Sequence, residues 1–264
     1  MAKIFVGTSG FSYPHWGQGL FFSKNLPQAK WFAYYGQHYN TVELNVSFYR
    51  LPKKETFKHW RQQAGKEFIF AVKGSRYITQ MKKLKDYQVP VKRFFEAVSP
   101  LLTGPTNWQS QPTQVILWQL PPRFKANPER LTDFLKGLPR KRLPRLTEQP
   151  RSTWRHAFEF RDESWLTREI LEILKKHKAA IVFQDYPQWP MTEEITADFI
   201  YLRFHGRTRL YSSCYTEKEL RNWAKKIKSW AKRGFDVYAY FNNDALGNAV
   251  ENAQTLKKLC SKKK

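Results

Sequence analysis

The sequence predicts a (β/α)8 TIM barrel, and three observations lead to this prediction. Eight short runs rich in β-branched and aromatic residues recur along the 264 residues, and most of the intervals between them show helical periodicity. Strands that alternate with helices form parallel sheets, and this length suits a barrel of about 250 residues. The segment Gly7-Thr8-Ser9-Gly10 lacks the Gly-x-Gly-x-x-Gly turn of an open dinucleotide-binding sheet. We expect one domain over residues 1–264.

The predicted strands begin 19 to 47 residues apart, which leaves room for a helix and two loops in most intervals. They are Ile4–Ser9, Thr41–Asn45, Phe68–Lys73, Val115–Leu120, His156–Arg161, Ala180–Asp185, Phe199–His205 and Val237–Asn242.

Start signals mark the clearest helices between these strands. Thr216 and Glu219 form a capping box before an apolar helical pattern, and Asn127-Pro128 reads as an N-cap followed by the first helical residue. The interval Tyr186–Asp198 holds two prolines, so we expect an irregular connection between strands six and seven. Thr103–Pro112 and Leu138–Pro150 are predicted to be long loops.

Composition limits the function classes. The chain has 46 Lys and Arg against 22 Asp and Glu, a formal net charge of +24, yet its 16% aromatic content excludes a disordered basic tail. No apolar run is long enough to span a membrane, and the chain starts without a signal-peptide pattern. Cys214 and Cys260 are too few for a Cys-rich zinc site or a disulfide framework. We expect a cytoplasmic protein with no membrane partner.

Strand parity predicts which side chains point into the barrel. Residues alternate between the helix side and the interior, and barrel active sites lie where the strands end. At least six strands start their inward face with small or apolar residues and end it with polar ones. Strand six is ambiguous, because Asp185 shares its parity with Ile181 and Phe183. The pattern therefore predicts a polar site at the C-terminal mouth.

The ordered motifs resemble the YecE-like family, a domain of unknown function numbered 72. They are Gly7-Thr8-Ser9-Gly10-Phe11-Ser12-Tyr13, Thr41-Val42-Glu43-Leu44-Asn45, Phe48-Tyr49-Arg50-Leu51-Pro52, Phe70-Ala71-Val72-Lys73, Gln119-Leu120-Pro121-Pro122, Phe158-Glu159-Phe160-Arg161, Ser164-Trp165, Arg203-Phe204-His205-Gly206 and Tyr240-Phe241-Asn242-Asn243-Asp244. The resemblance implies a TIM barrel and names no established reaction. Two departures stand out: Gln80 replaces a common histidine, and Asp162-Glu163 replaces a usual histidine and proline.

The mouth offers acid/base groups and cations. The candidate catalytic residues are Glu43, Glu159, His205 and Lys73. The candidate substrate-binding residues are Tyr13, His15, Asn45, Tyr49, Gln119, Arg161, Asp185, Arg203, Asn242 and Asn243. Three carboxylates balance three cations at this mouth, which favours a bound anion over a divalent metal, and arginine suits phosphate or carboxylate. We expect no cofactor and no metal, with Glu159, Asp185, His205 and Asp244 as an alternative metal set.

We expect an enzyme, a metal-independent hydrolase or lyase acting on a phosphorylated or otherwise anionic small molecule. One alternative is a nucleic-acid-binding or nucleic-acid-processing protein, since the high charge predicts at least non-specific, salt-sensitive binding. In that case the mouth aromatics Phe11, Tyr13, Trp16 and Tyr49 are candidates to stack on a base. A second alternative is a non-catalytic barrel that binds an anionic metabolite.

Overall fold

The protein is a (β/α)8 barrel, as predicted. A computed structural model describes residues 2–102, 113–139, 154–190 and 192–261. Its eight parallel strands follow the order β1-β8-β7-β6-β5-β4-β3-β2. The strands are β1 Ile4–Thr8, β2 Thr41–Leu44, β3 Ile69–Lys73, β4 Gln114–Gln119, β5 Trp154–Glu159, β6 Ala180–Asp185, β7 Phe199–Phe204 and β8 Asp236–Phe241. Each lies within two residues of its predicted start.

Helices cover the outside of the barrel. They are α1 Trp31–His38, α2 Val46–Tyr49, α3 Lys54–Gln63, α4 Gln88–Val98, α5 Pro128–Gly137, α6 Arg168–Lys176, α7 Glu217–Lys232 and α8 Asn248–Ser261. Shorter helical turns are Pro14–Gln18, Gln28–Lys30, Tyr77–Met81, Ser99–Leu102 and Glu163–Trp165. The predicted capping box at Thr216 and the N-cap at Asn127 are both present. None of the helices in the described ranges is long and apolar enough to cross a bilayer.

Alternation along the strands produces two apolar cores. Outward side chains such as Phe70, Phe158 and Leu202 pack against the helices. The inward side chains form a separate cluster that fills the barrel. This second cluster comprises Phe5, Ile69, Ala71, Val115, Leu117, Ala157, Ala180, Val182, Phe199, Tyr201, Tyr238 and Tyr240. Because it closes the lower barrel, polar groups at the strand ends face only the C-terminal mouth.

Two narrow seams divide the barrel into halves. Strands β5 and β6 pair only at Ala157↔Ala180 and Phe158↔Ile181. Strands β1 and β2 meet at a single bridge, Ser9↔Glu43. The other pairs of neighbouring strands are joined over three to six residues. One half therefore contains β2–β5, and the other contains β6–β8 and β1.

The connection from β6 to β7 is irregular, as predicted. Apart from position 191, residues 186–198 are described and contain no helix. The Thr196 hydroxyl secures the segment, since it accepts from the Ile181 N–H at 2.8 Å and donates to the Ala179 carbonyl at 2.7 Å. The predicted loop Thr103–Pro112 and residues 140–150 of the second predicted loop lie outside the described residues.

Candidate functional site

A buried polar cluster lies where the strands end, between the barrel core and the mouth. Glu43 comes from β2, Lys73 from β3, Gln119 from β4 and Glu159 from β5. Arg161 follows β5, Arg203 lies in β7, His205 follows it, and Asn242 follows β8. The structure brings these eight predicted residues together.

The carboxylate of Glu43 accepts four hydrogen bonds. Its Oε1 accepts from the Ser9 hydroxyl at 2.6 Å and from Arg203 Nη2 at 2.7 Å. Its Oε2 accepts from the Tyr201 hydroxyl at 2.8 Å and from Arg203 Nε at 2.9 Å. The side chain is fully buried. A carboxylate with four donors and no exposure holds its neighbours in position and offers no accessible oxygen to a substrate.

Glu159 is equally enclosed. Its Oε1 accepts from Gln119 Nε2 at 2.7 Å and from Arg161, while Oε2 accepts from Arg203 Nη1 at 2.5 Å. Burial alone raises the pKa of Glu159, but Arg161 and Arg203 outweigh burial and hold that pKa well below its usual value. Glu159 therefore remains ionised and only weakly basic.

His205 is fully buried beside both guanidinium groups. Its Nε2 lies 3.3 Å from Arg161 Nη2 and 3.5 Å from Arg203 Nη1, and its Nδ1 lies 3.1 Å from the Asn242 amide. Burial and the charge of Arg203 lower the pKa of His205 well below its usual value. The ring is neutral at pH 7, so it serves the cluster as a neutral hydrogen-bonding group.

Lys73 differs from the other cations. It is 7% exposed, and its Nζ lies 4.1 Å from the centre of the Phe48 ring. Within the described residues, no carboxylate oxygen lies within ion-pair distance of this ammonium. Burial and the nearby Arg203 lower the pKa of Lys73 to about 8, against opposing effects of Glu159 and Glu43. Lys73 is thus a buried, unpaired amine that titrates near neutrality.

A cavity of about 1070 Å³ opens above this cluster. Its floor contains Lys73, Gln119, Arg203 and Asn242, and one wall is rich in aromatic rings. The aromatic lining residues include Phe11, Tyr13, Phe32, Phe48, Tyr49 and Trp60. The predicted residues His15 and Asn45 also line the cavity, together with Gln80. Polar groups below and aromatic rings beside them suit an organic ligand with a charged end.

Three predicted binding residues, Arg161, Asp185 and Asn243, do not line this cavity. Arg161 contacts Glu159 and His205 in the buried cluster. Asp185 turns outward and accepts from Trp223 Nε1 of α7 at 3.2 Å, because it shares parity with the helix-facing residues of β6. Asn243 donates to the Ser213 carbonyl and to the side chain of Asn252 in α8, both at 2.9 Å. Neither Asp185 nor Asn243 lies at the cavity, where the prediction placed them. Without Asp185, two carboxylates face three cations, so the cluster carries excess positive charge when Lys73 is protonated.

The alternative metal set does not assemble. Among the described residues, no three His, Cys, Asp or Glu side chains form a metal-holding group. Asp185 lies outside the barrel, as described above. Asp244 accepts from Trp16 Nε1 at 3.1 Å and lies 3.0 Å from His15 Nε2. Trp16 is fully buried, so it is unavailable for stacking on a base, in contrast to the prediction.

Sequence reasoning missed several participants. Ser9 and Tyr201 complete the shell around Glu43, and Phe48 and Trp60 line the cavity. The inward parity of Tyr201 was a usable signal. The departure at Asp162 has a structural role, because its side chain accepts from the Ser164 N–H at 3.1 Å and caps the turn Glu163–Trp165.

Comparison with known proteins gives one relative that matches nearly the whole chain and another that matches about a third of it. YunF of Bacillus subtilis, a UPF0759 protein, is 24% identical over 283 residues, covering 97% of this chain and 94% of that protein. YecE of Escherichia coli K12 is 31% identical over 99 residues, covering 37% of this chain and 33% of YecE.

Solved structures agree with the fold. A DUF72 family protein of Thermotoga maritima superposes with a TM-score of 0.82 at 28% identity, over 98% of this chain and 100% of that one. A DUF72 family protein of Enterococcus faecalis gives a TM-score of 0.78 at 20% identity, over 99% and 96% of the two chains. The family model described as "Protein of unknown function DUF72" matches residues 5–264. The chain therefore belongs to the DUF72 family.

Proposed function

We propose that the protein is an enzyme, a hydrolase or lyase, that acts on a small organic anion in the barrel mouth. The observation that carries this proposal is the unpaired Lys73 ammonium at the cavity floor. Both carboxylates of the cluster are bound by arginines, so neither neutralises Lys73 directly. An anionic substrate group supplies the missing partner.

The same charge balance favours an anion over a divalent cation. Arg203, Arg161 and Lys73 repel a metal ion, whereas Glu43 and Glu159 have their lone pairs occupied by donors. Gln119 and Asn242 add neutral hydrogen-bonding groups at the floor. Aromatic wall residues such as Phe48 and Tyr49 offer contact to the carbon skeleton of the substrate.

Titration calorimetry with sulfate at pH 7 tests the anion site. We expect Lys73→Met to weaken sulfate binding about tenfold to a hundredfold, because a charge-assisted hydrogen bond contributes about 1.5–3 kcal/mol. Lys73→Arg retains the charge and most of the affinity. Lys176→Met, on the exposed face of α6, is the matched control. Equal binding by Lys73→Met and Lys176→Met contradicts the proposal.

Turnover is then measured against phosphorylated and carboxylated compounds. Activity that Lys73→Met abolishes and Lys176→Met retains supports an enzyme. Anion binding without turnover of any compound in such a panel favours the non-catalytic metabolite binder.

Nucleic-acid binding is a second candidate, because the rim of the mouth is both apolar and basic. The exposed large hydrophobic residues of the described chain are Leu20, Val46, Tyr49, Tyr77, Met81, Val89, Tyr211 and Leu246. All lie in segments that follow strand ends or, for Val89, in the first turn of α4. Seven of the loops after strands, residues 9–30, 45–53, 74–87, 120–127, 160–167, 205–216 and 242–247, hold thirteen Lys and Arg against four Asp and Glu.

Exposed tyrosines among arginines and lysines suit single-stranded nucleic acid, whose bases stack while its phosphates contact the cations. Fluorescence anisotropy of a labelled single-stranded oligonucleotide tests this candidate. We expect the affinity for the oligonucleotide to fall steeply as the salt concentration rises. The double variant Tyr49→Ala, Tyr211→Ala should weaken binding more than Lys176→Ala does. Glu159→Gln should leave it unchanged. If the tyrosine changes have no effect, the binding reflects only the net charge of +24.

A further inference from the structure

Lys73 combines three features that rarely occur together. Its Nζ is nearly buried, it faces an open cavity, and among the described residues it has no carboxylate partner. The Phe48 ring of α2 covers one side of the amine. The Ser47 hydroxyl of the same helix donates to the Lys73 carbonyl at 2.7 Å, which fixes the backbone beneath the side chain. The amine is therefore held in place with its free side toward the cavity.

The charged groups that act on Lys73 come from three strands and one loop. Arg203 and Arg161 disfavour its protonation, and Glu159 and Glu43 favour it. Burial is the largest effect, and the pKa of Lys73 is lowered to about 8. At pH 7.5 Lys73 thus presents about 200-fold more free amine than a lysine with the ordinary pKa of about 10.4. A free, desolvated amine of this kind is a nucleophile toward carbonyl groups.

We propose that Lys73 is the catalytic nucleophile of the mouth and forms an imine with a carbonyl-bearing organic anion. The Nζ lone pair attacks the carbonyl carbon and gives a carbinolamine. The former carbonyl oxygen then leaves as water and takes with it the two protons that the amine nitrogen carried, so a C=N bond replaces the C=O bond. In its protonated form this bond withdraws electrons from the adjacent carbon and assists cleavage of a bond there. The inference rests on the proposed function and selects a lyase within it.

The cavity also indicates what else the substrate carries. Asn45 lines the cavity, and its buried Oδ1 atom has no hydrogen-bond donor among the described residues. An unsatisfied buried acceptor is costly, so a ligand that donates a hydrogen bond there is favoured. A hydroxyl group meets this need. The substrate class is therefore an oxo acid, or a phosphorylated aldehyde or ketone, that also bears a hydroxyl.

Reductive trapping tests the proposal directly. The intact protein is incubated at pH 7.5 with glyoxylate and sodium cyanoborohydride, which delivers hydride to the imine carbon and leaves a stable secondary amine. Peptide mass spectrometry then locates the adduct. We expect Lys73 to be modified at least tenfold faster than the exposed Lys176, and excess sulfate to slow this reaction selectively.

Lys257 provides the matched control for reactivity. Burial lowers the pKa of Lys257 as well, but its Nζ donates to the His38 carbonyl and it does not line the cavity. Lys257→Arg should leave the fast adduct intact, whereas Lys73→Arg should remove it. Modification of Lys257 at the same rate as Lys73, or no fast adduct at all, overturns the imine proposal.

The two proposals fail in different ways. If sulfate binds the native protein and Lys73→Arg equally while no adduct forms, the anion site stands and the imine does not. If neither sulfate binding nor an adduct is found, both proposals fall. Circular dichroism of each variant confirms that the barrel is folded.

Discussion

Arg203 of β7 and Glu43 of β2 meet through two parallel hydrogen bonds although 160 residues separate them in sequence. The bonds measure 2.9 Å from Nε and 2.7 Å from Nη2. The remaining guanidinium nitrogen, Nη1, reaches Glu159 at 2.5 Å. One arginine thus binds the two buried carboxylates of the mouth and holds both in fixed positions beneath the cavity.

Arg203→Met should destabilise the protein by about 3–5 kcal/mol, since it leaves Glu43 and Glu159 buried without their shared cation. Urea unfolding at pH 7 measures this loss. Lys82→Met is the control, because Lys82 pairs with Asp86 at the surface and such pairs contribute about 0–1 kcal/mol. A loss below 1 kcal/mol for Arg203→Met contradicts the importance assigned to the pair.

Sulfate binding should weaken as the pH rises through about 8. The pKa of Lys73 is lowered to about 8 by burial and Arg203, so the ammonium is present below this pH and is lost above it. Affinity should fall by about tenfold per pH unit beyond that point. Calorimetry between pH 6.5 and 9.5 measures the profile, and Lys73→Arg should show no such fall. If the sulfate affinity of the native protein does not change with pH, a cation other than Lys73 binds the anion.

Gly74 and Gly36 should respond oppositely to alanine. A Cβ at Gly74 lies 2.4 Å from Cε3 of the buried Trp118 ring, so Gly74→Ala should cost about 1–3 kcal/mol through overpacking. A Cβ at Gly36, inside α1, meets no atom within 4 Å. Gly36→Ala should therefore stabilise the protein by about 0.5–1 kcal/mol. Thermal and urea unfolding of both variants check the signs.

Asp244 should lower the stability of the folded protein as the pH rises from about 4 to about 6. Burial raises the pKa of Asp244 to about 6, against the opposing effects of the Trp16 hydrogen bond and of the nearby His15. The unfolded chain has an ordinary Asp pKa of about 3.9, so the folded state binds the proton more tightly. Stability relative to Asp244→Asn should decrease by about 2–3 kcal/mol across this range. Urea unfolding of both proteins at several pH values measures this change. If the stability of the native protein relative to Asp244→Asn increases as the pH rises, the raised pKa of Asp244 is contradicted.

Much of the architecture follows from local pattern. Strand spacing gave eight units, and the alternation of apolar residues identified the inward ends of β2, β3, β4, β5, β7 and β8. The reason is that burial on the helix side forces one face of each strand to be apolar. The same rule places Gln184 inward on β6, on the face of Ala180 and Val182. Asp185 shares its parity with the helix-facing Phe183, and its side chain accordingly lies against Trp223 and not at the mouth.

Strand parity does not predict which side chains of the site bind each other. Parity places Tyr201 and Arg203 inside the barrel but does not state which carboxylate they bind, because those contacts join strands on opposite sides of the barrel. Parity also stops where the strand stops. Asn242 turns toward His205, whereas its neighbour Asn243 turns toward α8, and only the loop conformation decides between them.

The two seams give the polar cluster a mechanical role. Arg203, Tyr201 and Ser9 belong to the half made of β6–β8 and β1, whereas Glu43 and Glu159 belong to the half made of β2–β5. Each Arg203 ion pair thus joins the two halves, whose strands share the fewest backbone pairings of the barrel where the halves meet. The Arg203 ion pairs can therefore form only when the two halves are in place. A substitution that opens either seam dismantles the site without altering any residue in it.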